Sequence, residues 1–400
     1  MKILILCGVF AKENEEEIIK NATAPVEFSA NLFQERLIGG FNALENIEVS
    51  VLSAPFIGAY PTGSKIKNFK SFKVSQEKYR YVPFCNIWGI RNFSRTASLK
   101  KSIKAFAKDG CEKKLIVVYC THTPFIKAAE YAKKLDPKIK ICLYVPDLPQ
   151  YMNLSENRGF IYNVAKKYDI ASMTKHMKCI DTFVLLTKHM KDKLPVEDKP
   201  YRVIEGIFDF IPSISNEAEN SVSEKYIVYT GKLDKKFGAV SLVDSMRHMN
   251  DESLRLVLCG SGDSFEYAKA ESEKDRRIIP LGQVTPKVAE EWRRKASVLV
   301  NPRPNSEEYT KYSFPSKNVE YLLSGKPTVA YMLDGMPDIY RDFIYEINHD
   351  GEASHAIAKA IENALSEKIE KGNAYYEYAK EKLSATQIAT QILKLNYGRG

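Results

Sequence analysis

Three short stretches carry residues whose types and spacing suit phosphate chemistry. The loop Gly231-Lys232-Leu233-Asp234-Lys235-Lys236-Phe237-Gly238 follows the apolar run YIVYT, 226–230. Glycines flanking lysines, after a strand and before a helix, suit an anion, because backbone N–H groups point at phosphate and lysine adds a point charge. It is not the GxxxxGK[ST] of a Walker A loop, and a charged surface hairpin is the plain alternative. Gly260-Ser261-Gly262 follows LRLVLC, 254–259, and looks like the start of a dinucleotide fingerprint, but Phe265 stands where the third glycine belongs. A tight strand-to-helix turn accounts for it equally well.

The third stretch, Tyr312 to Pro327, reads YSFPSKNVEYLLSGKP. Pro315 suits a first helical turn and Ser-Gly-Lys-Pro ends the helix, so the pattern predicts a helix over 315–323. Val319, Leu322 and Leu323 form its apolar stripe. Ser316 and Glu320 are four apart and share a face. The N-terminus of this helix offers N–H donors to an anion, and Glu320 offers a carboxylate one turn deeper. A phosphate at the mouth with vicinal hydroxyls one turn away describes a nucleotide. A solvated helix glutamate is the alternative for Glu320.

These loops need rigid elements behind them. In the first half KILILC (2–7), IEVSVL (47–52), KLIVVYC (114–120), IKICLYV (139–145) and DTFVLL (181–186) alternate with helical stretches such as 28–41 and 123–135. Continuous apolar runs mean strands buried on both faces, hence a parallel sheet with helices on both sides. After the polar stretch 213–225 the pattern restarts with 226–230, 254–259, 277–281, 297–301 and 327–331. The chain therefore reads as α/β, two doubly wound Rossmann-like domains facing across a cleft. The expected division is 1–200 and 201–375, with a last helical pattern at about 375–395 and the C-terminal helix, about 376–400, packing back on the first domain. Ligands of such folds sit at the carboxyl ends of strands.

At 400 residues, 44% hydrophobic and 27% charged, the composition is that of a soluble globular protein. No apolar run approaches the roughly 20 residues that span a bilayer, and MKILILCGVF reads as a core strand, not a signal peptide. Seven cysteines without a CxxC pair suggest reduced core residues of a cytosolic protein, and scattered histidines argue against zinc. Between Lys65 and Lys104 there are eleven Lys or Arg against one acid, Glu77, interleaved with Phe69, Phe72, Tyr79, Tyr81, Phe84, Trp88 and Phe93. Such a block suggests an anionic membrane surface, a phosphate-bearing substrate or nucleic acid, or else a solvated face. No nucleic-acid motif accompanies it.

The ordered set Tyr229-Thr-Gly-Lys-Leu, Cys259-Gly-Ser-Gly, Ile279-Pro-Leu-Gly-Gln-Val and Phe314-Pro-Ser-Lys-Asn-Val-Glu-Tyr-Leu-Leu-Ser-Gly-Lys-Pro, over about 226–331, resembles the nucleotide-sugar domain of retaining glycosyltransferases of the GT-B fold, family 4 (group 1). The first half fits more loosely, through DTFVLLTKHMKDKL and VIEGIFD. The resemblance implies that Glu320 binds ribose hydroxyls and Lys232 the diphosphate. It places Gly231, Lys236, Gly260, Ser261, Tyr312, Phe314, Pro315, Ser316 and Lys317 around the donor. This chain departs at two positions. Tyr312 stands where the first acid of E-x7-E belongs, with Glu307 and Glu308 nearby, and Phe237 stands where a second phosphate-binding lysine belongs. In related enzymes the strand ends Tyr119-Cys-Thr-His122 and Val145-Pro-Asp147 face sugar and acceptor, so His122 or Asp147 could handle the acceptor proton. A helix cap or turn for His122, and a turn acid for Asp147, are the alternatives.

The resulting expectation is a retaining, hexosyl-type transfer from a nucleotide-diphosphate sugar to an acceptor hydroxyl. It needs no cofactor and no metal, and Lys232, the loop lysines and the helix N-terminus stabilise the departing diphosphate. The expected acceptor is lipid-linked or a growing cell-surface polysaccharide, with the protein cytoplasmic and peripheral on the inner membrane face through residues 65–104. No nucleic-acid partner is expected. The alternatives are a nucleotide-sugar-binding protein without turnover and a sugar-nucleotide epimerase of the same shape.

Overall fold

A computed structural model describes residues 1–72, 79–151, 160–208, 224–366 and 371–398. Lys73, Glu77 and Lys78 of the basic block, Asp209 at the end of VIEGIFD, and 213–223 of the polar stretch between the two sets of strands lie outside the described residues. The chain divides into two compact units, Met1–Asp209 with Lys382–Gly400, and Phe210–Glu381.

In the first unit the strands are β1 (Lys2–Cys7), β2 (Glu48–Ser53), β3 (Asn68–Phe69), β4 (Tyr79–Tyr81), β5 (Phe84–Cys85), β6 (Lys114–Tyr119), β7 (Lys140–Val145), β8 (Thr182–Leu185) and β9 (Tyr201–Val203). Seven of them form one parallel sheet, ordered β4-β2-β1-β6-β7-β8-β9, and β3 pairs with β5 as a small antiparallel ribbon. The helices are α1 (Glu15–Asn21), α2 (Phe28–Asn42), α3 (Arg91–Ala107), α4 (Thr123–Leu135) and α5 (Phe160–His176). β6 is buried along its whole length, as its unbroken apolar run requires. The chain order reverses between β1 and β6, which is where such sheets open for ligands.

The second unit holds β10 (Lys225–Thr230), β11 (Leu254–Cys259), β12 (Ile278–Gly282), β13 (Val298–Asn301), β14 (Thr328–Ala330) and β15 (Tyr345–Glu346), all parallel and ordered β12-β11-β10-β13-β14-β15. Its helices are α6 (Ala239–Ser245), α7 (Phe265–Lys274), α8 (Pro286–Lys295), α9 (Ser316–Leu323), α10 (Ala353–Ser366) and α11 (Lys371–Leu383). Pro280 is tolerated in β12 because that strand is at the sheet edge, and its register slips opposite Leu258 and Cys259. The switch point here lies between β10 and β13.

The single helical pattern expected at 375–395 is two helices, α11 and α12 (Ala385–Tyr397). Ser384, extended at φ −67° and ψ 147°, is the N-cap that separates them. α12 packs on α2 in the first unit, and Ile388, Ala389 and Ile392 join Leu37, Ile38 and Phe41 in its core. Gly40 permits this approach, since a Cβ there would strike the Ala385 carbonyl.

The basic aromatic block does not form one surface. Phe69, Phe72, Tyr81 and Phe84 are buried and pack ring on ring, and Arg95 is buried with them. Its exposed large hydrophobic side chains are Trp88, Ile90 and Phe93, the last 72% exposed. Sequence interleaving cannot separate the two sets, because the segment is mostly short strands and loop. Among the described residues no helix is long and apolar enough to cross a membrane, and every cysteine there is unpaired.

Candidate functional site: loops after β10, β11 and β13

The second-unit loops converge because β11, β10 and β13 are neighbours. Gly231, the first residue after β10, donates its N–H to the Cys259 carbonyl at 2.9 Å. Gly260, at φ +155°, lets the next loop close on it, since a Cβ there would strike the Gly231 carbonyl. Gly262 fits under Leu233 and Asp234 in the same way, a Cβ there falling 2.5 Å from the Leu233 carbonyl carbon. These two glycines therefore pack loop on loop, and Ser261 is the exposed residue between them, its hydroxyl 3.2 Å from Gln283 Oε1. Gly238, at φ +80°, abuts the Pro302 carbonyl after β13.

α9 is pinned against the end of β10. Tyr321 is fully buried, and its hydroxyl accepts the Thr230 N–H at 2.9 Å. Asn301 at the end of β13 donates to Asn318 Oδ1 at 2.6 Å. The helix begins at Ser316 with Pro315 as N-cap and no capping side chain. Tyr321 and Asn318 were not part of the expected stripe, yet they are buried with Val319 and Leu322, while Leu323 is half-buried.

These contacts bring Lys317 over Gly231. A Cβ built on that glycine would sit 3.0 Å from Lys317 Cε. Glu320 is exposed on the same helix, 4.0 Å from Lys317 Nζ and 3.5 Å from Arg293 of α8. Arg293 also pairs with Glu290. Burial lowers the Lys317 ammonium pKa, and Glu320 partly offsets this. Lys232 and Lys236 are exposed, and Lys236 lies over the Phe237 ring at 5.2 Å. Ser316 is exposed, whereas Pro315, Phe314 and Tyr312 are buried. Tyr312 closes a 3-10 turn over Glu308–Tyr312, and Glu307 and Glu308 are exposed.

Arg303 escaped the reading of the sequence. Its guanidinium lies 5.9 Å from the Phe237 ring centroid and 5.0 Å from that of Tyr309, and donates to Ser313 Oγ at 3.0 Å. Its Nε is buried without a partner. It thus brings a second cation to Phe237, beside Lys236. Its position just after the run SVLVN was the available signal. Among the described residues no cluster of three or more His, Cys, Asp or Glu is placed to hold a metal ion.

In the first unit His122 is the N-cap of α4 without a capping side-chain bond, its ring edge-on to Phe56 at 5.7 Å. Burial, then Arg95 and Arg91, hold its pKa well below the ordinary value. Cys120, read as a strand residue, instead takes φ +66°, a left-handed conformation costly for a side-chain-bearing residue. The chain turns there between β6 and the α4 cap, and the Cys120 N–H bonds the Tyr144 carbonyl. Asp147 is exposed as a residue, yet desolvation by surrounding protein, with Glu27 adding repulsion, pushes its carboxyl up to about 6.

A family model described as glycosyl transferases group 1 matches residues 224–367. Similar solved structures include the lipopolysaccharide outer core galactosyltransferase WaaB, at 14% identity and TM-score 0.63, covering 99% of both chains. Sucrose-phosphate synthase from Thermosynechococcus elongatus is 16% identical with TM-score 0.59, covering 99% of this chain and 98% of that one. HepE of Anabaena in complex with UDP is 13% identical with TM-score 0.56, covering 98% and 99%. Among curated protein sequences, none is significantly similar to this one. The two parallel-sheet units define a protein of the GT-B fold class.

Proposed function

We propose that this protein transfers a hexosyl group from a nucleoside-diphosphate sugar to an acceptor hydroxyl, with retention at the anomeric carbon. The observation that carries this reading is the meeting of Lys317, Glu320 and Arg293 beside Gly231. Glu320, oriented by Arg293, accepts from the ribose hydroxyls. Lys317, Lys232, Arg303 and the open N-terminus of α9 face the diphosphate. The bond from the anomeric carbon to the diphosphate oxygen breaks, and the charge developing on that oxygen is met by these cations. The acceptor oxygen bonds the anomeric carbon, and its proton passes to Asp147, whose raised pKa suits a base working near neutral pH. Protein cations supply the charge, so turnover should persist with a chelator present. The UDP bound by the similar HepE makes UDP-sugars the first donors to test.

The acceptor reading is lipid-linked or polysaccharide. Trp88, Ile90 and Phe93, exposed beside basic residues, favour an anionic membrane face. Nucleotide-sugar binding without turnover is the second reading, favoured by buried Tyr312, which offers no carboxylate. Release of free nucleoside diphosphate from a panel of donor sugars decides between them. Release lost in Lys317→Ala supports transfer, and donor binding with no release for any donor or acceptor supports the second reading.

A further inference from the structure

We propose that the first unit holds a binding site for a phosphate group, formed by Arg91, Thr123 and the first turns of α3 and α4. Resting on the transferase reading, this site seats a phosphorylated acceptor. α3 leads into β6 and α4 leaves it, and the two helices pack side by side. Their N-termini therefore lie together at the carboxyl end of β6. Neither is capped by a side chain, the N-cap residues being Ile90 and His122.

Arg95, 1% exposed, donates to the Pro55 carbonyl at 2.8 Å and stacks on Phe84 at 4.3 Å, and its Nε has no partner. The guanidinium of Arg91, one turn earlier and half-buried, makes no hydrogen bond or ion pair among the described residues, while its backbone N–H bonds the Ile87 carbonyl. Burial lowers the pKa of both arginines, and the neighbouring Arg91 cation lowers Arg95 further. Asp169 and Tyr162 of α5 act on Arg91 only at longer range. Two adjacent cations, one fully buried, without a paired carboxylate are costly unless an anion arrives. The Thr123 hydroxyl, 4% exposed, and His122 Nδ1 are buried without partners at the same helix end. A phosphate would accept from the fork of Arg91, the Thr123 hydroxyl, His122 Nδ1–H and first-turn N–H groups.

The test is a titration of inorganic phosphate, and separately of hexose phosphates and of vesicles containing phosphatidic acid, into protein saturated with a nucleoside diphosphate. Saturation removes the donor site from the readout. Phosphate should raise the melting temperature, and Arg91→Gln and Thr123→Val should each weaken it roughly tenfold while keeping the nucleotide shift. Preference for hexose phosphate identifies a soluble acceptor, and preference for vesicles a lipid headgroup. No phosphate shift, or one unchanged in both variants, overturns the proposal. A phosphate shift in a protein that binds no nucleotide keeps this site and removes the transferase reading.

Discussion

Lys317 Cε lies where it would be 3.0 Å from a Cβ on Gly231, so the first residue after β10 and the first turn of α9 share one small space. Tyr229 closes the other side, its hydroxyl 2.7 Å from the same position and donating to the Lys232 carbonyl. Gly231→Ala should crowd both the buried Tyr229 ring and Lys317, and weaken nucleoside-diphosphate binding about tenfold by calorimetry. Gly260→Ala meets backbone instead and should destabilise the fold by about 1–3 kcal/mol in denaturant titration.

Arg303 adds a half-buried cation beside Phe237, which Lys236 also overlies. Arg303→Ala should weaken nucleoside-diphosphate binding roughly tenfold while changing nucleoside-monophosphate binding much less. Adding Phe237→Lys should recover part of the loss. Equal losses for both nucleotides would place Arg303 away from the diphosphate.

Tyr321 ties α9 to the sheet through the Thr230 N–H. Tyr321→Phe leaves that buried donor unsatisfied and should cost about 1–3 kcal/mol in unfolding experiments.

Most of the sheet was legible because strands buried on both faces spell continuous apolar runs. β10, β11 and β13 fall where YIVYT, LRLVLC and SVLVN are written. Short edge strands such as β4, β9 and β15, of two or three residues, carry no such run. The donor-side loops were legible by position after strands, but which residues meet there was not. Arg293 reaches Glu320 from α8, and Arg303 reaches Phe237 from after β13, contacts set by sheet order. The split at Ser384 did have a local sign, a serine before an apolar run, hidden inside a longer helical period.

Asp147 predicts a pH signature. Its folded pKa, pushed up to about 6, exceeds the ordinary 3.8, so the folded state holds this proton more tightly than the unfolded chain. Stability should therefore decline as pH rises from about 4 to 6, and Asp147→Asn should flatten that decline. Turnover should fall as pH drops through about 6, since the base must be ionised. Losing that acidic limb in Asp147→Asn, with residual activity measured across pH, checks the assignment.

The most direct test of the donor clamp is calorimetric titration of UDP, GDP and ADP into the wild-type protein and Glu320→Ala. The account predicts that one diphosphate binds the wild type and is lost or weakened at least about tenfold in the variant. Absence of binding by all three, or binding unchanged in Glu320→Ala, would contradict it.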